Sequence, residues 1–218
     1  MEEYTKTAEP VGSKLIAAEK NFEVSSATIR NEMAELEREG LILQPHTSAG
    51  RVPTEKGYQY YIDNFLAGEK LSIKERNDLE KAAAGESRES LKNLAKELAE
   101  ISGLGVMVAF SKQDVYYTGL SNLFAQPEFY DRDAVYNMSS IIDHLDEAIA
   151  KVYDEVKGEV KILIGKNNPF GRECSVVLAK YWSVGEDTNR QQLIGIIGPM
   201  RMDYKRVVAL VSAIKEVL

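Results

Sequence analysis

Arg30 and Asn31, two polar residues on one face of a predicted helix, carry the clearest chemistry in this sequence. Ser25 and Ser26, which suit the start of a helix, precede an apolar repeat of Ile29, Met33 and Leu36. On a helical wheel, the opposite face carries Ala27, Arg30, Asn31, Ala34 and Arg38. Arg30 and Asn31 can each form paired hydrogen bonds with base edges, and the small alanines allow close approach. The spacing predicts a helix that suits a major groove of DNA.

The residues after this helix predict a short β-hairpin. Gly40 ends the helix, and the short strand segments 41–44 and 51–53 flank the turn-rich stretch 45–50. His46, Thr47 and Ser48 at the hairpin tip, with Arg51 at its base, can reach phosphate or the minor groove. Ser25, Ser26 and Thr28 lie at the helix start, where backbone N–H groups favour phosphate. A capped helix followed at once by a hairpin and then by a further helix is the order of a winged helix-turn-helix.

A further helix follows the hairpin. Thr54 is the expected N-cap, and the helix carries an apolar stripe of Tyr58, Tyr61, Ile62 and Phe65. Aromatic residues at helical spacing are more often part of a core than a platform for stacking bases. We therefore expect this stripe to pack inside the domain.

The same stretch resembles the HrcA family of bacterial heat-inducible transcription repressors. The resemblance lies in V-S-S-A-T-I-R-N-E-M-A-E-L-E at 24–37 and Q-P-H-T-S-A-G-R-V-P-T-E-K-G-Y-Q-Y-Y at 44–61, with further matches at Gly119–Phe129 and Ile197–Tyr204. It implies a GAF-like body and a homodimer bound to an inverted repeat upstream of chaperonin and DnaK-type operons. It also implies a chaperonin partner that helps keep the repressor folded.

This chain departs from the family pattern at two places. The family's first helix begins well before the position of Met1, and its body holds a long inserted segment that helps dimerise the protein. Here, Val108-Ala109-Phe110 is followed after a few residues by Val115-Tyr116-Tyr117. The resemblance therefore implies a short form without the inserted segment, in which the dimer contact lies elsewhere.

The pattern along the whole chain predicts an α+β protein with a winged helix-turn-helix and a GAF-like α/β sheet domain. The expected domains are 1–66 for DNA binding, 67–103 as a helical linker that can also serve dimerisation, and 104–218 as the GAF-like domain. The DNA-binding domain at 1–66, called the head, should begin with helices at 2–7 and 11–20 and a turn at 21–24. Val11, Leu15 and Ile16 should face its core. Further helices are expected at 71–84, 87–101, 132–156 and 203–218, and strands at 104–110, 115–117, 160–164, 175–184 and 191–197. Two apolar helical stripes are candidate dimer seams: first Leu91, Leu94, Leu98 and Ile101, and second Val207, Leu210 and Ile214.

Composition favours a cytoplasmic globular protein. The 218 residues are 44% hydrophobic and 28% charged, and the sequence shows neither a signal peptide nor an apolar run that could span a bilayer. The one cysteine, Cys174, permits no intrachain disulfide and is expected to be a buried strand residue. Residues 1–66 hold seven Lys and Arg against eleven Asp and Glu. A head with this charge should attract DNA weakly and depend on dimerisation and base contacts.

No pattern of catalytic residues is present, so we expect no enzyme activity, cofactor or metal. His144 among Asp143, Asp146 and Glu147 is more simply a solvated helix face than a metal site, and 165–171 is more simply a turn than a phosphate loop. The motif at Gly119–Phe129 is read as a packing bend in preference to a ligand pocket. A ligand-sensing regulator that uses the GAF-like domain remains the alternative function.

Overall fold

The computed structural model describes residues 1–18, 24–66, 69–85, 87–157, 160–183 and 190–218. The chain forms two compact units, Met1–Leu66 and Ala67–Leu218. The predicted turn at 21–24 lies outside the described residues up to Glu23. The last two residues of the helix expected at 11–20 and the last residue of the strand expected at 175–184 also lie outside them.

The smaller unit combines helices with a two-stranded hairpin. Its elements are α1 (Glu2–Thr7), α2 (Ser13–Ala18), α3 (Ser26–Arg38), β1 (Ile42–Leu43), β2 (Val52–Pro53) and α4 (Glu55–Phe65). The strands are antiparallel with Leu43 opposite Val52. Val11, just before α2, adds an antiparallel bridge to Arg51. Leu15 was expected in the core but is 48% exposed, because the face of α2 that packs on the unit carries the half-buried Ile16.

The larger unit is built on a five-stranded antiparallel sheet in the order β4-β3-β7-β6-β5. Its elements are α5 (Ile73–Ala82), α6 (Arg88–Ser102), β3 (Gly105–Ala109), β4 (Val115–Thr118), α7 (Leu120–Phe124), α8 (Arg132–Asp143), α9 (Leu145–Tyr153), β5 (Lys161–Ile164), β6 (Cys174–Ser183), β7 (Arg190–Pro199) and α10 (Tyr204–Val217). The predicted helix at 132–156 is wrong as a single element, since His144 has a non-helical backbone and separates α8 from α9.

Helices cover both faces of this sheet. Residues of β3, β6 and β7 that alternate along the strands form one core with α7, α8 and α9, including Met107, Val176, Leu178, Ile149 and Met138. The other face packs against α6 and α10. The mixture of helices and one antiparallel sheet confirms the predicted α+β class.

The two stripes proposed as dimer seams are buried within the larger unit. Leu94 and Leu98 in α6 are fully buried, as are Leu210 and Ile214 in α10. Both helices lie against the sheet and against each other. The assignment of these stripes to a dimer contact is therefore wrong, because the chain's own sheet already covers them. Helix α6 likewise lies within the compact unit Ala67–Leu218.

Candidate nucleic-acid interface

Helix α3 begins and ends where the local chemistry predicts. Ser25 is the N-cap: its Oγ accepts a hydrogen bond from the backbone N–H of Thr28 at 3.1 Å. After the helix, Gly40 adopts a left-handed backbone with φ of 72°, which costs little without a Cβ. Ile29 is buried, whereas Met33 is half-buried and Leu36 is 39% exposed. Only the first residue of the predicted apolar repeat is therefore fully covered.

The opposite face of α3 is open. Ala27, Arg30, Asn31, Ala34 and Arg38 are all exposed. Arg38 forms an ion pair with Glu35 one turn earlier. Arg30 and Asn31 have no ion pair or hydrogen bond of their side chains with any described residue, so both are free to bind a ligand. At the helix start, Thr28 is exposed and Ser26 is half-buried.

The hairpin tip is held in shape by one amide side chain. Nε2 of Gln44 donates to the carbonyl oxygens of Thr47 at 3.1 Å and Ala49 at 3.0 Å. Three side chains at the tip, His46, Thr47 and Ser48, are exposed. The tip thus presents three polar groups from a fixed backbone loop.

Arg51 lies against Glu37 of α3. Its Nε donates to Oε2 of Glu37 at 3.0 Å, and its Nη2 lies 2.9 Å from the same oxygen. Oε1 of Glu37 accepts from the backbone N–H of Gln44 at 3.1 Å. One carboxylate therefore joins α3 to both sides of the hairpin. No local sequence pattern predicts this contact, because the two residues are 14 positions apart.

The start of α4 is hydrogen-bonded to the residues that follow the C-terminal end of α3. The Thr54 side chain caps α4 by accepting from the Gly57 N–H at 3.0 Å, and it donates to the Gly40 carbonyl at 2.7 Å. Gly57 packs directly on the Leu41 carbonyl, where a Cβ would overlap the oxygen. Of the predicted aromatic stripe, Tyr58 is buried but Phe65 is 58% exposed. The stripe is therefore buried at its first residue and exposed at its last.

A groove of about 330 Å³ runs between the start of α2, the exposed face of α3 and the hairpin. Its lining includes Lys14, Arg30, Gln44, Ser48 and Arg51. Lys14 is exposed. Lys14 was not singled out from sequence, because an isolated lysine on a short helix carries no pattern of its own.

Burial accounts for Cys174, and local contacts account for His144. Burial raises the pKa of the Cys174 thiol to about 12, and its Sγ lies 3.4 Å from Sδ of Met138, so it is protonated and unreactive at neutral pH. Exposed His144 contacts the Ser140 carbonyl, which raises its pKa, with Glu147 adding to the effect. Among the described residues, no three His, Cys, Asp or Glu side chains are grouped to hold a metal.

The two downstream motifs meet in the larger unit. Arg201 is almost fully buried: Nε donates to Oε1 of Glu128 at 2.5 Å, and Nη2 donates to Oε2 of Glu128 at 3.3 Å and to Oε1 of Gln126 at 3.0 Å. Glu128 lies in a 3-10 turn at Pro127–Tyr130, and Arg201 lies between β7 and α10. This contact supports the packing interpretation of Gly119–Phe129.

These features define a two-unit α+β protein with a small, hairpin-bearing helical unit and a larger sheet unit. The family model described as "HrcA protein C terminal domain" matches residues 57–208. The chain therefore belongs to the HrcA family, which confirms the resemblance, and the larger unit is consistent with a GAF-like domain.

Individual relatives agree over nearly the whole chain. The heat-inducible transcription repressor HrcA of Natranaerobius thermophilus is 29% identical, over 99% of this chain and 92% of the relative. That of Carboxydothermus hydrogenoformans is 28% identical, over 100% and 94%. The first alignment spans 321 positions against 218 residues in this chain, so at least 103 positions have no counterpart here.

A solved structure shares the fold. A crystal structure of a hypothetical protein at 2.2 Å resolution superposes with a TM-score of 0.70 and 18% identity, covering 100% of this chain and 96% of that one. Among the helices that the structure describes, none is long and apolar enough to cross a membrane.

Proposed function

We propose that this chain is a DNA-binding transcription repressor that turns down heat-shock chaperone genes. Its membership of the HrcA family supports this, as do relatives named heat-inducible transcription repressors that align with nearly all of it. The proposed targets are the chaperonin and DnaK-type operons, and the repressor acts in the cytoplasm. A chaperonin partner is carried over from the resemblance.

In this proposal, the smaller unit is a winged helix-turn-helix with α3 as its recognition helix. The observation that carries it is the open face of α3, where Arg30 and Asn31 stand exposed among small alanines while Ile29 on the other side is buried. An arginine and an asparagine at such positions suit guanine and adenine edges in a major groove. Ser25, Ser26 and Thr28 lie at the helix start, where N–H groups face phosphate.

The hairpin serves as the wing. His46, Thr47 and Ser48 at its tip contact the backbone or the minor groove in this proposal. Two heads of a homodimer then bind the halves of an inverted-repeat operator. Since the α6 and α10 stripes are buried in their own unit, the dimer contact uses another surface.

The test begins with genomic fragments selected by the purified protein, followed by fluorescence anisotropy on the fragment recovered. Arg30→Ala and Asn31→Ala should each weaken binding by about 1–3 kcal/mol, because each removes a paired contact with a base. Arg132→Ala and Asn137→Ala, at exposed positions of α8 in the larger unit, are the matched controls and should bind like the wild type. Unchanged affinity in both α3 variants would remove this helix from the interface.

A further inference from the structure

Among the described cations of the smaller unit, some already have a partner within the unit and others do not. Arg38 is ion-paired with Glu35, Arg51 with Glu37, and Nζ of Lys56 donates to the Glu39 carbonyl at 2.7 Å. Arg38 and Arg51 are therefore already paired with carboxylates, whereas exposed Lys56 is held only by a backbone carbonyl at the end of α3 and does not line the groove. A cation held by a carboxylate contributes little net charge to a phosphate nearby.

Lys14 and Arg30 belong to the second of these groups. Both are exposed, both line the groove between α2, α3 and the hairpin, and neither has an ion-pair partner among the described residues of the chain. Lys6 is also exposed and without such a partner, but it lies in α1 and does not line the groove. The groove thus collects unpaired positive charge next to the face that carries Asn31.

Arg51 differs from both in burial as well as pairing. Its side chain is 19% exposed, and two of its nitrogens lie about 3 Å from one oxygen of Glu37. Releasing it to a phosphate would leave that carboxylate unpaired beside the DNA, which costs free energy. The same carboxylate also holds the Gln44 amide, so the pair fixes the hairpin on α3.

We propose that Lys14 binds a DNA backbone phosphate in this groove, and that Arg51 is a positioning residue that Glu37 holds to set the hairpin against α3. The proposal rests on the proposed function for its DNA contact. It assigns the phosphate to a lysine that the sequence pattern did not single out. It also gives Arg51, predicted from sequence to reach DNA, a different role.

The salt dependence of binding separates the two roles. Each lost phosphate contact reduces the steepness of log K against log salt by about 0.9. Lys14→Met should therefore flatten the slope by about that amount and weaken binding to operator and random DNA alike. Arg51→Met and Glu37→Ala should each weaken operator binding with the slope unchanged, and the double variant should be no weaker than either single one. Lys6→Met is the matched control and should leave affinity and slope unchanged.

The opposite pattern would overturn the proposal. If Arg51→Met flattens the slope, or if Glu37→Ala tightens binding and steepens it, Arg51 is itself a phosphate contact. A normal slope in Lys14→Met removes Lys14 from the interface.

We call the contacts of Glu37 with Arg51 and with the Gln44 amide the clamp. The clamp can also be tested without DNA. Amide exchange at Gln44 should accelerate in Glu37→Ala, because its acceptor is lost, and unchanged exchange would contradict the clamp. If the wild type selects no DNA at all, the proposed function and the Lys14 assignment fail together, while the exchange result still decides the role of Glu37.

Discussion

Removing one partner of the contact between Arg201 and Glu128 should destabilise the larger unit. The Arg201 side chain is 10% exposed and that of Glu128 is 27% exposed. Of the three hydrogen bonds described above that Arg201 donates, two go to Glu128. Glu128→Leu removes these two and leaves the guanidinium buried. Each unsatisfied donor costs about 1–3 kcal/mol, so we expect Glu128→Leu to lower the free energy of unfolding by about 3 kcal/mol.

Replacing Arg201 instead of Glu128 should lower the free energy of unfolding by less. Arg201→Met leaves Glu128 without its partner, but water can reach this carboxylate because its side chain is partly exposed. We expect a loss of about 1–2 kcal/mol, and the double variant should be more stable than Glu128→Leu alone, because an apolar pair leaves no buried charge uncompensated.

Urea unfolding followed by tryptophan fluorescence measures these differences. The chain's one tryptophan, Trp182, lies in β6 of the larger unit, so the signal follows that unit. Arg132→Met, at an exposed position of α8, is the control and should shift stability by less than about 0.5 kcal/mol. A loss below about 1 kcal/mol in Glu128→Leu, or a double variant less stable than both single ones, would refute the reasoning.

Two further changes test the body of the protein. Leu98→Asp should unfold the larger unit instead of separating a dimer, because Leu98 is fully buried against the sheet; a folded monomer by circular dichroism and light scattering would restore α6 as a dimer seam. Arg206 of α10, together with hydrogen bonds from Ser72, holds the pKa of the Glu75 carboxyl of α5 at about 2, against an ordinary value of 4.5. The stabilisation from these contacts is complete above pH 4.5 and is lost as the pH falls through about 2. Glu75→Gln should therefore reduce the acid sensitivity of unfolding in that window, and an unaltered pH profile would contradict a stabilising role of the Glu75 carboxylate.

Features fixed by neighbouring residues were predictable from sequence. Caps at Ser25 and Thr54 and the left-handed Gly40 follow from local chemistry, and the structure has all three. The hairpin followed from its turn residues. The exposed face of α3 followed from the helical period alone, which is why Arg30 and Asn31 were placed correctly on it.

Features that depend on distant residues were not predictable. An amphipathic stripe such as Leu94 and Leu98 shows that something covers it, but not whether the cover is another chain or the same chain's sheet. The break at His144 has no glycine or proline to mark it. The contact of Arg51 with Glu37 spans 14 positions and that of Arg201 with Glu128 spans 73, and neither distance belongs to any local period.

The charge of the smaller unit bears directly on how it would hold DNA. Its balance of seven basic to eleven acidic residues looks unsuited to a polyanion, and the ion pairs of Arg38 and Arg51 reduce the available positive charge further. Among the described residues, Lys14 and Arg30 share the groove without an ion-pair partner, while Lys56 lies at the end of α3 beside a backbone carbonyl. A single head should therefore have few phosphate contacts and a shallow salt dependence. Tight binding then requires two linked heads, since the second binds at a high effective concentration once the first is in place. Because both helical stripes are already buried within the body, the surface that links the heads in the proposed dimer is neither the buried face of α6 nor that of α10.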